Sequence, residues 1–116
     1  MTRVALVALG GALGSVTRYG IGVAFGDAKW PAATLAINVV GSFLLGVVLT
    51  WGVARLNPDL RVGIAVGVLG GFTTYSTFSH DAATLDRRGA AVYVVLSVAL
   101  GVAAALAGRG VGNRLA

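Results

Sequence analysis

The chain contains no cysteine, no glutamate and a single histidine. Without thiols it can form neither a disulfide framework nor a thiol-rich metal site nor a Cys/His nucleophile pair, and cysteine usage gives no information on redox compartment. Its acidic residues are Asp27, Asp59, Asp81 and Asp86 alone, too few and too scattered for paired-carboxylate acid/base chemistry. An enzyme is therefore not expected. Charge of either sign is scarce as well, at 11% of residues against about 25% in an ordinary soluble domain, which excludes a typical soluble globular protein.

What fills the space is apolar. Hydrophobic residues make up 57% of the 116 positions and the mean hydropathy is +0.88. A bilayer core about 30 Å thick takes roughly 20 apolar residues per helix, so four spans consume about 80 residues and leave about 36 for loops and ends. The expectation is one all-α membrane domain over residues 1–116 with four transmembrane helices. The net charge of +5 does not point to nucleic acid. The basic residues are scattered and form no stripe interleaved with aromatics, which suits side chains that snorkel to the membrane surface.

Four apolar stretches can be traced. The first runs from about Val4 to Phe25, interrupted by Arg18 and closed by the turn-like Gly26-Asp27. It lacks an Ala-x-Ala cleavage signal and more apolar stretches follow, so it reads as a retained span rather than a signal peptide. The second covers about Pro31 to Val53, with Pro31 suited to a first helical turn and Trp30 and Trp51 near its borders, as in an interfacial aromatic belt. The breaker-rich loop Ala54 to Asp59 leads to the third, about Leu60 to Ser79, whose middle is rich in glycine and hydroxyl residues. A last loop holds His80, Asp81, Asp86, Arg87 and Arg88, and the fourth span runs from about Gly89 to Ala107.

Eighteen glycines, about twice the usual share of roughly 7%, often fall four apart: Gly10 and Gly14, Gly22 and Gly26, and Gly63, Gly67 and Gly71. Such rows let helix backbones approach closely in lipid, within one chain or between two copies. Four small helices alone hardly enclose a pore, which favours an oligomer. With four spans, Arg3, Arg55, Arg61, Arg109 and Arg114 share one side and Arg18, Lys29, Arg87 and Arg88 the other. A five-to-four split gives almost no orientation under the positive-inside rule, and dual topology with antiparallel pairing is expected.

The polar residues inside the spans each admit two readings. Thr34, Asn38 and Ser42 lie four apart on one helix face, either as interhelical hydrogen-bond glue or as a donor row along a conduction path. Tyr75 and Phe78 share a face of the third span, either packing together or turning electropositive ring edges toward an anion. Tyr93 and Ser97 align two hydroxyls on the fourth. No carboxylate lies deep in a span, so an anion pathway is favoured over a cation antiporter. Gly70-Gly71 followed by Thr73-Thr74 is able to break the third helix near its middle. The result is either a simple kink or a set of freed carbonyls fit for a hard cation such as sodium.

Three stretches, Gly10 to Tyr19, Thr34 to Gly46 and Gly70 to Phe78, together resemble the Fluc family of fluoride channels, also called CrcB, and the four-span layout extends the resemblance across essentially the whole chain. The resemblance implies an antiparallel dual-topology homodimer with two fluoride pores in a bacterial cytoplasmic membrane. Asn38 matches the pore-lining asparagine, with Thr34 beside it. Tyr75 and Phe78 match the aromatic pair, Tyr93 and Ser97 a hydroxyl track on the fourth helix. The backbone carbonyls of Gly70 and Thr73 match those that hold a central structural sodium ion from both subunits. Arg18 and Asp81 fall at vestibule positions. Two residues depart from the pattern: Tyr75 stands where the family commonly has phenylalanine, and Asp81 where it usually has glutamate.

The function implied is passive fluoride export that lowers the intracellular concentration. One alternative is a non-conducting or partner subunit of a heterodimeric fluoride channel. Another is a small multidrug-resistance type transporter, which resembles this chain in size but depends on a membrane-embedded glutamate, a residue type this chain lacks.

Overall fold

The computed structural model describes residues 1–116 and is entirely helical. Helix α1 spans Thr2–Phe25, two residues longer at its start than the apolar run marks. It stops at Gly26, whose φ of 63° is a left-handed conformation that a side chain disfavours. Helix α2 covers Ala32–Val48, with Pro31 as its N-cap rather than in its first turn. The chain then jogs through Leu49 and Thr50 into a short α3, Trp51–Arg55, so the second stretch is not one unbroken helix to Val53. The Thr50 hydroxyl bonds the Gly46 and Val47 carbonyls at 2.9 and 3.2 Å, and the Thr50 amide, shifted from Gly46, also donates to Val47 at 3.2 Å.

Helix α4, Pro58–Val62, opens on Asn57, whose side chain accepts from the Leu60 amide at 2.8 Å, with Pro58 at a position where no amide hydrogen is needed. A π-helical segment, Gly63–Val68, carries the rod into α5, Leu69–Phe72. Thr73 and Thr74 are extended, with φ, ψ of −80°, 156° and −149°, 113°. Helix α6 resumes at Tyr75 and continues to Thr84. The departure from helix thus falls on the two threonines, while Gly70 and Gly71 remain helical. His80 and Asp81, assigned to a loop from sequence, lie in α6; only Leu85 and Asp86 remain as connection. Helix α7 runs from Arg87 to Leu115, capped by Asp86 accepting from the Gly89 amide at 3.3 Å, and overshoots the apolar stretch at both ends.

Three helical stretches are long and apolar enough to cross a membrane: Thr2–Phe25, Pro58–Thr84 and Arg87–Leu115. The fourth, Ala32–Val48, has 17 residues, or about 26 Å at 1.5 Å per residue, slightly less than a bilayer core. By length and composition these helices are compatible with a membrane protein.

Packing divides into two seams. In the first, α1 lies along Gly63–Phe72, glycine against backbone. A Cβ on Gly67 would sit 2.8 Å from the Val7 carbonyl oxygen, one on Gly10 2.7 Å from the Gly63 oxygen, and one on Gly14 would collide with the Val68 oxygen and the Phe72 nitrogen. In the second, α2 lies parallel to α7: Ser42 faces Gly101, Gly46 meets the backbone of Ala105 and Arg109, and Thr50 meets Gly112. At one end, Arg3 pairs with Asp59 at 2.7 Å and Arg55 donates to the Ala116 carbonyl at 3.3 Å.

The interior is small. Ile37, Leu69, Phe72 and Tyr93 are its buried large side chains, whereas leucines and valines along the outer faces of α1 and α7 are open. Lipid and neighbouring protein are the media that such faces accept.

Candidate functional site

The two extended threonines organise the site. Breaking the helix at Thr73–Thr74 frees backbone groups that would be costly in a membrane unless satisfied, and Asn38 on α2 meets part of that need. The Thr74 amide donates to Asn38 Oδ1 at 2.8 Å, and Asn38 Nδ2 donates to the Thr74 carbonyl at 3.0 Å, a paired contact like one rung of a β-ladder. This leaves Asn38 one N–H to offer elsewhere. The Thr74 hydroxyl accepts from the Thr77 amide at 3.1 Å and donates to Thr77 Oγ1 at 3.0 Å, capping α6. Thr73 Oγ1 turns back to the Leu69 carbonyl at 2.9 Å.

On the side facing α1, the Gly71 carbonyl accepts from Arg18 Nε at 3.1 Å and from Ser15 Oγ at 3.5 Å. Arg18 therefore braces the break as well as lining an open cleft of about 680 Å³, which it shares with Thr34, Thr74 and Thr77. The carbonyls of Gly70 and Thr73 accept no hydrogen bond from the protein. Both residues line a second cleft of about 310 Å³ on the opposite side of the break, together with Asn38, Ser42, Tyr75 and Phe78. No charged side chain lines that cleft.

The two aromatic residues of α6 lie side by side, ring centroids 5.9 Å apart and tilted by 43°. Tyr75 is 81% exposed, an unusual degree for a large aromatic unless a further surface covers it. Phe78 continues inward to Tyr93, 5.4 Å away, and Tyr93 takes the edge of Trp30 at 5.5 Å. Tyr93 is completely buried. Asp81, one turn after Phe78, gathers two hydroxyls on a single carboxylate oxygen: Thr34 Oγ1 donates to Oδ2 at 2.7 Å and the Tyr93 hydroxyl at 3.5 Å. His80 Nδ1 stands 3.9 Å from the other oxygen. One turn along α7 from Tyr93, the Ser97 hydroxyl is buried with no hydrogen-bond partner.

The residues singled out from sequence thus fall into three groups. Asn38, Gly70, Thr73, Tyr75 and Phe78 share one cleft. Thr34, Asp81 and Tyr93 form a hydrogen-bonded triad, joined to the first group through the Phe78 ring. Arg18 lies on the α1 side of the break, in the cleft that it shares with Thr34, and Ser97 bonds to none of these groups. Sequence reasoning named Thr74 only as part of the break and not among the site residues, although its backbone is the partner of Asn38 and its side chain caps α6. The available signal was the Thr74-x-x-Thr77 spacing at a helix start, a weak one beside the neighbouring glycines.

Arranged this way, the groups favour a small hard anion. An amide N–H, several hydroxyls and aromatic ring edges present partial positive charge without a fixed cation that would trap the ion. Comparison with known proteins points the same way. The sequence model of the family described as "CrcB-like protein, Camphor Resistance (CrcB)" matches residues 5–109. A protein of Agrobacterium fabrum named "Fluoride-specific ion channel FluC" is 45% identical over 124 residues, covering 99% of each chain. One of the same name from Rhizobium etli is 45% identical over 125 residues, covering 100% of each, and one from Rhodospirillum centenum 46% identical over 117 residues, covering 93% of each. Matched from near its first residue to near its last, both to the family and to relatives named as channels, the chain belongs to the CrcB family of ion channels and is not an enzyme.

Proposed function

We propose that the chain forms a fluoride channel that lets the ion leave the cell passively across the cytoplasmic membrane. The observation that carries the reading is the 310 Å³ cleft, where Asn38, four hydroxyl residues and two aromatic rings meet with no charged side chain among them. Fluoride sheds its water for the free Asn38 N–H, the Ser42 and Tyr75 hydroxyls and the ring edges, each too weak to hold it. No energy source is needed: an inside-negative potential drives an anion outward with about 2.3 kcal/mol per 100 mV. Thr34, Tyr93 and Ser97 continue the row of hydroxyls, and Arg18 and Asp81 face its approach.

Four spans and an antiparallel dual-topology homodimer complete the reading. The five-to-four split of basic residues imposes no orientation, and the exposed Tyr75 ring calls for a second surface. At the centre, the Gly70 and Thr73 carbonyls, free of protein donors, suit a hard cation. Two from each copy would hold a sodium ion, as unwound carbonyls do in other membrane proteins. Its part is structural: bound there, it neutralises carbonyl dipoles that otherwise face each other across the pair.

Fluoride efflux from liposomes carrying the purified chain alone, read with a fluoride electrode against a chloride control, tests the reading. Fast fluoride release with little chloride leak is expected. No release from a folded dimer, unchanged by Tyr75→Phe, refutes a self-sufficient channel and favours a partner subunit; release restored by Tyr75→Phe shows that the Tyr75 hydroxyl closes the path.

A further inference from the structure

The parallel register of α2 and α7 lays a row of polar side chains along the whole seam, beyond the residues of the cleft. Thr34 meets Tyr93 through Asp81, Ser42 faces Gly101 and Thr50 faces Gly112, which by helix spacing puts Asn38 level with Ser97. From Thr34 to Thr50 the row covers 16 residues, about 24 Å. Ser42 and Leu45 line both the 310 Å³ cleft and a further one of about 330 Å³, so the two hollows adjoin along α2. The second ends at Thr50 and Arg109.

Arg109 is the one charged residue lining that hollow. It has no ion pair and donates no side-chain hydrogen bond; the nearby Arg3 and Arg55 are held by Asp59 and the Ala116 carbonyl. Its guanidinium therefore offers all its donors at the end of the seam away from Asp81. A cation at the mouth of a low-dielectric channel raises the local concentration of anions and repels cations. Resting on the fluoride-channel reading, we propose that Arg109 is the anion-gathering residue of the seam's second mouth, so that the seam is entered past Asp81 at one end and past Arg109 at the other.

The test is fluoride efflux from liposomes by wild type, Arg109→Gln and Arg109→Lys, at low and high concentrations of an impermeant salt. Arg109→Gln should lose about threefold to tenfold at about 10 mM salt, where the Debye length is near 30 Å, and less than about twofold near 1 M, where it is near 3 Å. Arg109→Lys should keep the wild-type rate. The chain has no cysteine, so Arg109→Cys adds a second arm on protein already folded: a cationic thiosulfonate reagent should raise its flux and an anionic one lower it. Equal flux of Arg109→Gln and wild type at low salt, or indifference to the reagent's sign, overturns the proposal. So does a loss confined to vesicles containing anionic phosphatidylglycerol, which would mark Arg109 as a headgroup ligand. Absence of fluoride flux in the wild type overturns the channel reading itself, a different result from a conducting wild type that Arg109→Gln leaves unchanged.

Discussion

The two seams of the molecule solve one problem differently. Where α1 meets Gly63–Phe72, Gly10, Gly14, Gly63 and Gly67 bring backbone onto backbone, and side chains contribute little between them. Where α2 meets α7, glycine meets backbone only toward the end near Gly46, Gly108 and Gly112, and toward the other end lie Thr34, Asn38, Ser42, Tyr93 and Ser97, with Gly101 opposite Ser42. In lipid there is no hydrophobic force to join helices, and both small residues and polar residues can do so. Only the second kind leaves hydrogen-bonding atoms that an ion could use. The glycine seam is a scaffold, and what it holds steady is the break at Thr73–Thr74, through Arg18 and Ser15 on the Gly71 carbonyl.

That contrast is broken most severely by filling the glycine seam. A side chain on Gly14 runs into the Val68 carbonyl and the Phe72 amide, both backbone, which cannot swing aside; Gly22 has nothing within 4 Å. Gly14→Leu should cost about 3 kcal/mol or more, the upper end for overpacked sites, and in practice should leave little folded protein. Gly22→Leu should be close to neutral. Thermal unfolding and size-exclusion profiles in detergent separate them, and equal stability of the two variants would mean that the close approach is not the scaffold.

A smaller change in the polar seam should spare the fold and stop the ion. Asn38→Asp keeps the shape and the acceptor for the Thr74 amide, but removes the donor to the Thr74 carbonyl and places a negative charge beside the cleft. Fluoride efflux should fall on the order of 100-fold, equivalent to about 2.7 kcal/mol at the barrier. Undiminished efflux from liposomes carrying this variant would take Asn38 out of the path.

Residue types in rows, such as the glycines four apart and the Thr34, Asn38, Ser42 face, were legible because helix periodicity alone determines which side chains line up. Helix ends were less so. The apolar run stops at Ser79, yet α6 continues to Thr84, because Asp81 takes the Thr34 and Tyr93 hydroxyls and so has a place inside the bundle that a charged residue near a span's end does not advertise. Which of Gly70, Gly71, Thr73 and Thr74 would leave the helix was not legible for a related reason. Glycine is permissive but does not require a turn, and Gly71 is needed as a small helical residue against Gly11. Of the two extended residues, Thr74 finds the partner for both its amide and its carbonyl in Asn38, 36 positions away. Contacts of that separation leave no local signature. The role of Asn38 in holding the break, as distinct from lining a path, could therefore come only from the structure.

The break also supplies the mildest test of the comparison. Arg18 and Ser15 satisfy the Gly71 carbonyl and Asn38 satisfies that of Thr74, so the protein closes the account for two carbonyls there, while those of Gly70 and Thr73 accept nothing from it. If a sodium ion shared with a second copy fills that need, sodium stabilises the dimer by mass action, about 1.4 kcal/mol at ten times its Kd. Replacing sodium with a large organic cation should lower the dimer's unfolding temperature by a few degrees and leave the Gly14→Leu and Gly22→Leu difference unchanged, because the glycine seam has no part in the ion site. Identical stability in the two salts would remove the ion and leave the paired carbonyls to water. A sodium effect that Gly22→Leu abolished would be as informative, since it would place the cation in the cleft beside Arg18 rather than among the Gly70 and Thr73 carbonyls.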